Sequence, residues 1–276
     1  MKTLQSIILV FLSLSPVVYA ESTVNGIRVL TRIEELVEPE HSAVIVIDMQ
    51  NENVLSCGHY FADEPGWKRS NPIPDEPRIS DHYQETHDIP QLARFINTAR
   101  KAGVTIIYVE IVFLDYDQSG IDLMYRSEVV GEKTLARKWS MTCKELAPKK
   151  GDLMIYKHSG DSFSETQLDQ LLRSRSIKSV ILTGTATNGC VMGTTWGAEL
   201  HGYYPVLVRD IVNHGNAEQR KNAQFGVDPE TPPDKSVGAY YERALVFMES
   251  RYPVFQSDEI MKAWNIMIDD SSRKKH

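Results

Sequence analysis

Residues 42–48 read Ser-Ala-Val-Ile-Val-Ile-Asp, an unbroken apolar, β-branched run closed by a carboxylate. Six such residues are too few for a helix and suit a strand buried on both faces of a parallel sheet. The same kind of run recurs at Val104–Val109, at Leu153–Tyr156 just before Lys157, at Ser179–Thr183 and at Val206–Arg209. Helical patterns separate these runs. Asp88 can cap a helix that places Ile89, Leu92, Ala93, Ile96 and Ala99 on one face and ends at Gly103. Ser164 with Gln167 three residues on forms a capping-box pattern ahead of Leu168, Leu171 and Leu172. Two more helices are expected from about Cys190 to His201 and over Val237–Met248. Strands alternating with helices predict an α/β fold, a doubly wound, mostly parallel, Rossmann-like sheet. Residues 51–87 carry no usable period and are read as a long loop over one end of that sheet, and residues 110–148 are mixed and assigned to no element.

The 276 residues suffice for one well-buried domain, placed at about 25–265. Residues 266–276 are set apart as a polar tail. The first twenty residues differ in kind. Lys2, the apolar run Ile7–Leu14, and small residues at Val18 and Ala20 have the layout of a secretory signal peptide cleaved after Ala20. The expectation is an exported protein, secreted or periplasmic, that no longer meets the membrane once the leader is removed. The absence of an Asn-x-Ser/Thr sequon favours a bacterial periplasm. A net charge of −7 with no basic stripe leaves no footprint for a nucleic-acid partner. Three cysteines, Cys57, Cys143 and Cys190, leave at least one without an intramolecular partner. A Cys57–Cys143 bridge with Cys190 free is one pairing, and the sequence does not choose it.

In open α/β sheets ligands bind beyond the carboxyl ends of the strands. Asp48, Lys157 and Cys190 all fall at such ends. Alone, each has an ordinary explanation: a turn cap, a solvated amine, a small buried thiol. Their shared location makes them candidate catalytic residues. Cys190 follows the turn Gly184-Thr185-Ala186-Thr187-Asn188-Gly189 and is expected to open a helix. There the helix dipole and the Lys157 ammonium should lower the thiol pKa, giving a cysteine that alkylates fast near neutral pH. Asp48 could take the thiol proton and hand it to a leaving amine. Backbone N–H groups of the turn could hold an oxyanion.

Three segments, AVIVIDMQN (43–51), IYKHSGDSF (155–163) and VILTGTATNGCV (180–191), occur in order and are followed by GYYPVLVRD (202–210). In these the chain resembles the isochorismatase-like cysteine hydrolases, nearest the branch of ureidoacrylate and carbamoyl amidohydrolases. The resemblance implies a three-layer αβα sandwich. It assigns Asp48 as general base, Lys157 as the group that orients and polarises, and Cys190 as the nucleophile of a covalent intermediate. It also implies a cis peptide at Thr185–Ala186, with the N–H groups of Ala186 and Cys190 as oxyanion donors. The implied reaction is hydrolysis of a C–N bond in a small amide, ureido or carbamoyl compound, the partner being a small-molecule substrate. Relatives commonly form homo-oligomers, and the sequence adds no sign of its own.

Departures from the pattern narrow the reading. Nicotinamidases of this fold carry an Asp-x-His pair after the second strand to hold a metal. Here that region reads VEIVFLDYD (109–117) without histidine, and none of the eight histidines has trustworthy ligand spacing, so no metal and no cofactor is expected. Isochorismate hydrolases generally lack the cysteine, which disfavours vinyl-ether cleavage. The alternatives are nonetheless an ether hydrolase of that type and a catalytically silent binding protein of the same fold. Tyr60, Phe61, Trp67, Tyr125, Arg126 and Trp139 are candidates for the pocket wall, and surface anchoring explains each of them equally well.

Overall fold

The computed structural model describes residues 23–50, 89–112, 141–212 and 237–273, with the backbone alone at Ile27 and over 237–242. The six aromatic and guanidinium candidates for the pocket wall, residues 1–20, and Cys57 lie outside the described residues.

Residues 23–31 belong to a compact unit of their own. In it β1 (Thr23–Val24) pairs antiparallel with β2 (Ile27–Arg28). Asn25 and Gly26 make the turn at φ 52° and 77°, the left-handed pair that a two-residue hairpin requires.

From Arg32 onward the chain is a second unit. Its strands are β3 (Ser42–Ile47), β4 (Thr105–Ile111), β5 (Leu153–Lys157), β6 (Ser179–Gly184), β7 (Tyr204–Val208) and β8 (Val254–Phe255). They form one sheet in the order β5-β4-β3-β6-β7-β8, every described pair parallel. The chain winds outward from β3 through β4 to β5, crosses back to β6, and winds outward again. The reversal leaves a crevice at the carboxyl ends of β3 and β6, where ligands bind in sheets of this kind.

The helices are α1 (Ile33–Leu36), α2 (Ile89–Ala102), α3 (Leu168–Ser174), α4 (Met192–Leu200), α5 (Val237–Glu249) and α6 (Ser257–Arg273). Odd-numbered β3 residues, Ala43, Ile45 and Ile47, share one core with Leu168 and Leu172 of α3, Ala198 of α4 and Leu245 of α5. On the other side α2 packs on β4 and on α6. Phe95 of α2 meets Trp264 of α6 with ring centroids 5.0 Å apart, and the Trp264 indole N–H donates to Val37 O at 2.8 Å. The result is a three-layer αβα sandwich, and β3 is buried along its whole length because both faces are covered.

Several boundaries differ from the sequence reading. The helix expected from Ser164 begins at Leu168, and Gln167 makes no side-chain cap. The Asp161 carboxylate accepts instead from the N–H groups of Phe163 (2.9 Å) and Ser164 (3.1 Å) and from Ser164 Oγ (2.7 Å), while Glu165 sits at φ 56°. A turn satisfied from its own start has no need to enter the helix early. At the far end, residues 266–273, read as polar tail, continue α6. That helix buries Ile260, Met261, Ala263 and Trp264 in its first half, so its last turns need no apolar face.

Gly184, at the end of β6, has φ 100°, and a Cβ placed there would sit on the carbonyl oxygen of Ile47. The backbones of β3 and β6 therefore approach each other directly beneath the crevice. Gly184→Ala should cost about 2–4 kcal/mol, from a left-handed alanine plus an overpacked backbone contact. Urea unfolding followed by circular dichroism measures this; a loss below about 0.5 kcal/mol would show that the strands can part at no cost.

Candidate active site

Asp48 is the first residue beyond β3. It takes φ 50°, and its N–H donates to Val109 O at 2.9 Å, so the side chain leaves the strand line at the crevice. Lys157 closes β5, two strands away. Its side chain is fully buried, and Nζ lies 2.9 Å from Asp48 Oδ2 and 2.9 Å from Ser159 O. Cys190 comes from the other side of the crevice. The chain leaves β6 through a cis peptide at Thr185–Ala186 and then makes a wide turn over Thr187–Val191. The N–H groups of Gly189 and Val191 both donate to Ala186 O, at 3.0 and 3.1 Å. The helix proper starts at Met192, so Cys190 lies in the turn that feeds α4 and not in its first turn. It is a free cysteine, partly exposed, and its thiol interacts with both Asp48 and Lys157. The fold thus brings together all three residues singled out in the sequence.

The electrostatics correct one expectation. The Cys190 thiol is pushed up to about 12, first by burial and then by the Asp48 carboxylate, with Lys157 opposing. Loss of water around the sulfur outweighs the neighbouring ammonium. The resting group is a neutral thiol and not a preformed thiolate. Burial also raises the Asp48 carboxyl above the usual aspartate range, against the pull of Lys157 and the hydrogen bond from Cys190. Lys157 is held above its ordinary value: burial opposes the charge, but Asp48 and then Cys190 outweigh it. A carboxylate displaced upward beside a neutral thiol is a base waiting for a proton.

Residues given no site role in the sequence reading surround this trio. The buried Gln50 side chain pairs with the backbone of Ile111 in both directions, at 3.0 and 2.9 Å, extending the ladder past β3. Glu110, also buried, accepts from Thr142 N–H (2.8 Å) and Thr142 Oγ1 (2.6 Å). Cys143 N–H donates to Met49 O at 2.8 Å. With an antiparallel bridge between Gln50 and Thr142, residues 142–143 are fastened to the two residues that follow Asp48. Cys143 is buried and disulfide-bonded. Glu110, a carboxylate inside an apolar strand, and Gln50, three residues past the end of one, were the sequence signals for these anchors.

Comparison with known proteins follows the same lines. Residues 42–229 match the isochorismatase domain. The ureidoacrylate amidohydrolase RutB of Cronobacter turicensis is 30% identical over 221 residues, covering 74% of this chain and 89% of that protein. The RutB of Caulobacter vibrioides is 28% identical over 208 residues, covering 70% and 86%. Among solved structures, a cysteine hydrolase from Pseudomonas syringae pv. phaseolicola superposes with a TM-score of 0.60 at 21% identity, covering 83% of this chain and 94% of that one. N-carbamoylsarcosine amidase from Thermoplasma acidophilum superposes with a TM-score of 0.51 at 21% identity, covering 79% and 97%. A domain match over more than half the chain, on a sheet whose crevice holds Asp48, Lys157 and Cys190, makes this protein a member of the isochorismatase family of hydrolases.

Proposed function

We propose that the protein hydrolyses the C–N bond of a small amide, ureido or carbamoyl compound through an acyl-enzyme on Cys190. The observation that carries this reading is the buried Asp48–Lys157 pair, 2.9 Å apart, with the Cys190 thiol in contact with both. The names of relatives that act on ureidoacrylate and N-carbamoylsarcosine support the bond class.

The steps balance as follows. Asp48 takes the Cys190 proton as sulfur attacks the carbonyl carbon, and the C=O electrons move to oxygen. The N–H groups of Ala186 and Cys190 hold that oxyanion. Asp48 then gives its proton to the leaving nitrogen as the C–N bond breaks, leaving a thioester. Water, deprotonated by the same carboxylate, attacks the thioester; the S–C bond breaks and the thiol is regenerated. Lys157 keeps the carboxylate aimed and offsets its charge. A vinyl ether offers the thiol no carbonyl carbon and no oxyanion, so this geometry fits it poorly. Ammonia release from a panel of amides, ureides and carbamoyl compounds, with Cys190→Ser as control, tests the reading; turnover of isochorismate with a silent panel overturns it.

Because Asp48 must be anionic to act, kcat/KM should fall as pH drops, through an apparent pKa above the ordinary aspartate value of 3.8. The limb belongs to the Asp48–Lys157–Cys190 set as a whole. An acid limb at or below that ordinary value would remove Asp48 as the base.

We also propose that the protein is exported. The leader-like residues 1–20 and the disulfide at Cys143 both suit an oxidising compartment. Sequencing the mature N-terminus should give Glu21, and an intact Met1 in a cytosolic fraction overturns the proposal.

A further inference from the structure

We propose that the buried hydroxyl pair Ser162–Thr194 is a latch that fixes Lys157 against Cys190, making both residues positioning residues for the reaction. The proposal rests on the reading of Asp48, Lys157 and Cys190 as the reacting set. Lys157 and Cys190 belong to separate stretches of chain, and nothing in β5 or in the turn after β6 alone sets the distance between them. Asp48 meets both side chains, and the contact between the loop after Lys157 and the helix after Cys190 ties their two stretches of backbone together.

Thr194 lies four residues beyond Cys190 and Ser162 five beyond Lys157. Their hydroxyl oxygens are 2.7 Å apart, and Ser162 N–H also donates to Thr194 Oγ1 at 3.2 Å. Both side chains are fully buried, so water cannot replace either bond. The surfaces beside the latch fit without slack. A Cβ at Gly193 would stand 2.8 Å from Gly160 O, and one at Gly197 would overlap the Asp161 carboxylate. Gly193 and Gly197 are one helical turn apart and let α4 lie directly on residues 160–161.

The loop itself is internally tied. Ser159 Oγ donates to Asp161 O (3.2 Å), and Thr166 Oγ1 donates to Ser162 O (2.6 Å). Ser159 O, in the same loop, accepts from Lys157 Nζ at 2.9 Å. The chain of contacts therefore runs from the Lys157 ammonium to Ser159 O, through the tied loop to Ser162, across to Thr194, and back one turn to Cys190. If the latch opens, Ser159 O shifts and the ammonium turns away from the sulfur. The thiol then loses the neighbouring Lys157 charge, which favours its ionisation.

Iodoacetamide labelling of Cys190, read by peptide mass spectrometry from pH 7 to 10, tests this without a substrate. In Thr194→Val and Ser162→Ala the labelling rate should fall about three- to tenfold at each pH, while Thr194→Ser stays within about twofold of wild type. On a turned-over amide, kcat should fall roughly 10–100-fold in the two disabling variants with KM changed by less than about threefold. A folded Thr194→Val or Ser162→Ala that labels at the wild-type rate overturns the latch. So does loss of fold in both variants, which would assign the pair to stability alone. A labelling shift in a protein that hydrolyses no amide or ureide would overturn the proposed reaction and leave the latch standing.

Discussion

Cys190→Ala should lower kcat/KM by at least about 10³-fold on any amide or ureide the wild type cleaves. The sulfur is the atom that bonds to the carbonyl carbon, and among the described residues the nearby hydroxyls are engaged or buried. Ser159 Oγ donates to Asp161 O, Thr187 Oγ1 is committed to Val212 O, and Thr185 is buried at the crevice floor. The variant should still fold. Cys190 is only partly buried and packs at the margin of the core, so losing one sulfur should cost no more than about 1 kcal/mol, or a few degrees in Tm. Two measurements separate the effects: thermal unfolding of the variant, and rapid-quench intact-mass analysis of the wild type, which should show an acyl adduct absent from Cys190→Ala. A stable variant with rates within tenfold of wild type would falsify the nucleophile assignment.

The sheet was legible wherever a strand is covered on both faces. SAVIVI, with neither polar alternation nor turn residues, has no other comfortable environment, and β3 is buried throughout. The short edge strand Val254–Phe255 left no such mark because two residues make no pattern. Helix α6 went unread for the opposite reason: its buried positions stop at Trp264, Ile266 beyond them is exposed, and the Asp-Asp-Ser-Ser-Arg end at 269–273 looks like a tail. At the site, Asp48 and Lys157 stood out because a charge ending an apolar run must go to the end of the sheet. The Ser162–Thr194 pair did not, since two hydroxyls 32 residues apart carry no local signal. The direction of the thiol shift was also hidden. The nearby Lys157 ammonium could be inferred from its place at a strand's carboxyl end, whereas the loss of water around the sulfur depends on how loop and helix close over it.

Lys157→Met should destabilise the protein by about 3–5 kcal/mol near neutral pH, the usual cost of removing one partner of a buried ion pair. Asp48 and Lys157 are both almost wholly inaccessible, and Nζ is within 2.9 Å of the carboxylate. A methionine fills much of the lysine volume, so the deficit reports charge and not a cavity. The sign with pH follows from Asp48. With the ammonium gone, its carboxyl pKa should rise further above the unfolded value, because burial is already the largest influence on it and the chief opposing influence is Lys157. A carboxyl raised on folding weakens the fold at pH values above its unfolded pKa, and that penalty fades as pH falls through the folded pKa. The deficit of Lys157→Met should therefore be largest near pH 8 and shrink toward pH 5. Adding Asp48→Asn removes the stranded charge and should recover most of the loss, since a neutral buried pair needs no counterion. Urea titrations of the four proteins at several pH values decide it. Equal stability of wild type and Lys157→Met at pH 8 would mean that Asp48 already carries a proton in the resting fold. The ammonium would then have no carboxylate to offset, and the base would have to come from elsewhere in the crevice. The expected cycle means instead that the fold retains a costly charge pair where an apolar pair would hold the sheet as well, and the function that explains it is a carboxylate kept anionic beside a neutral thiol.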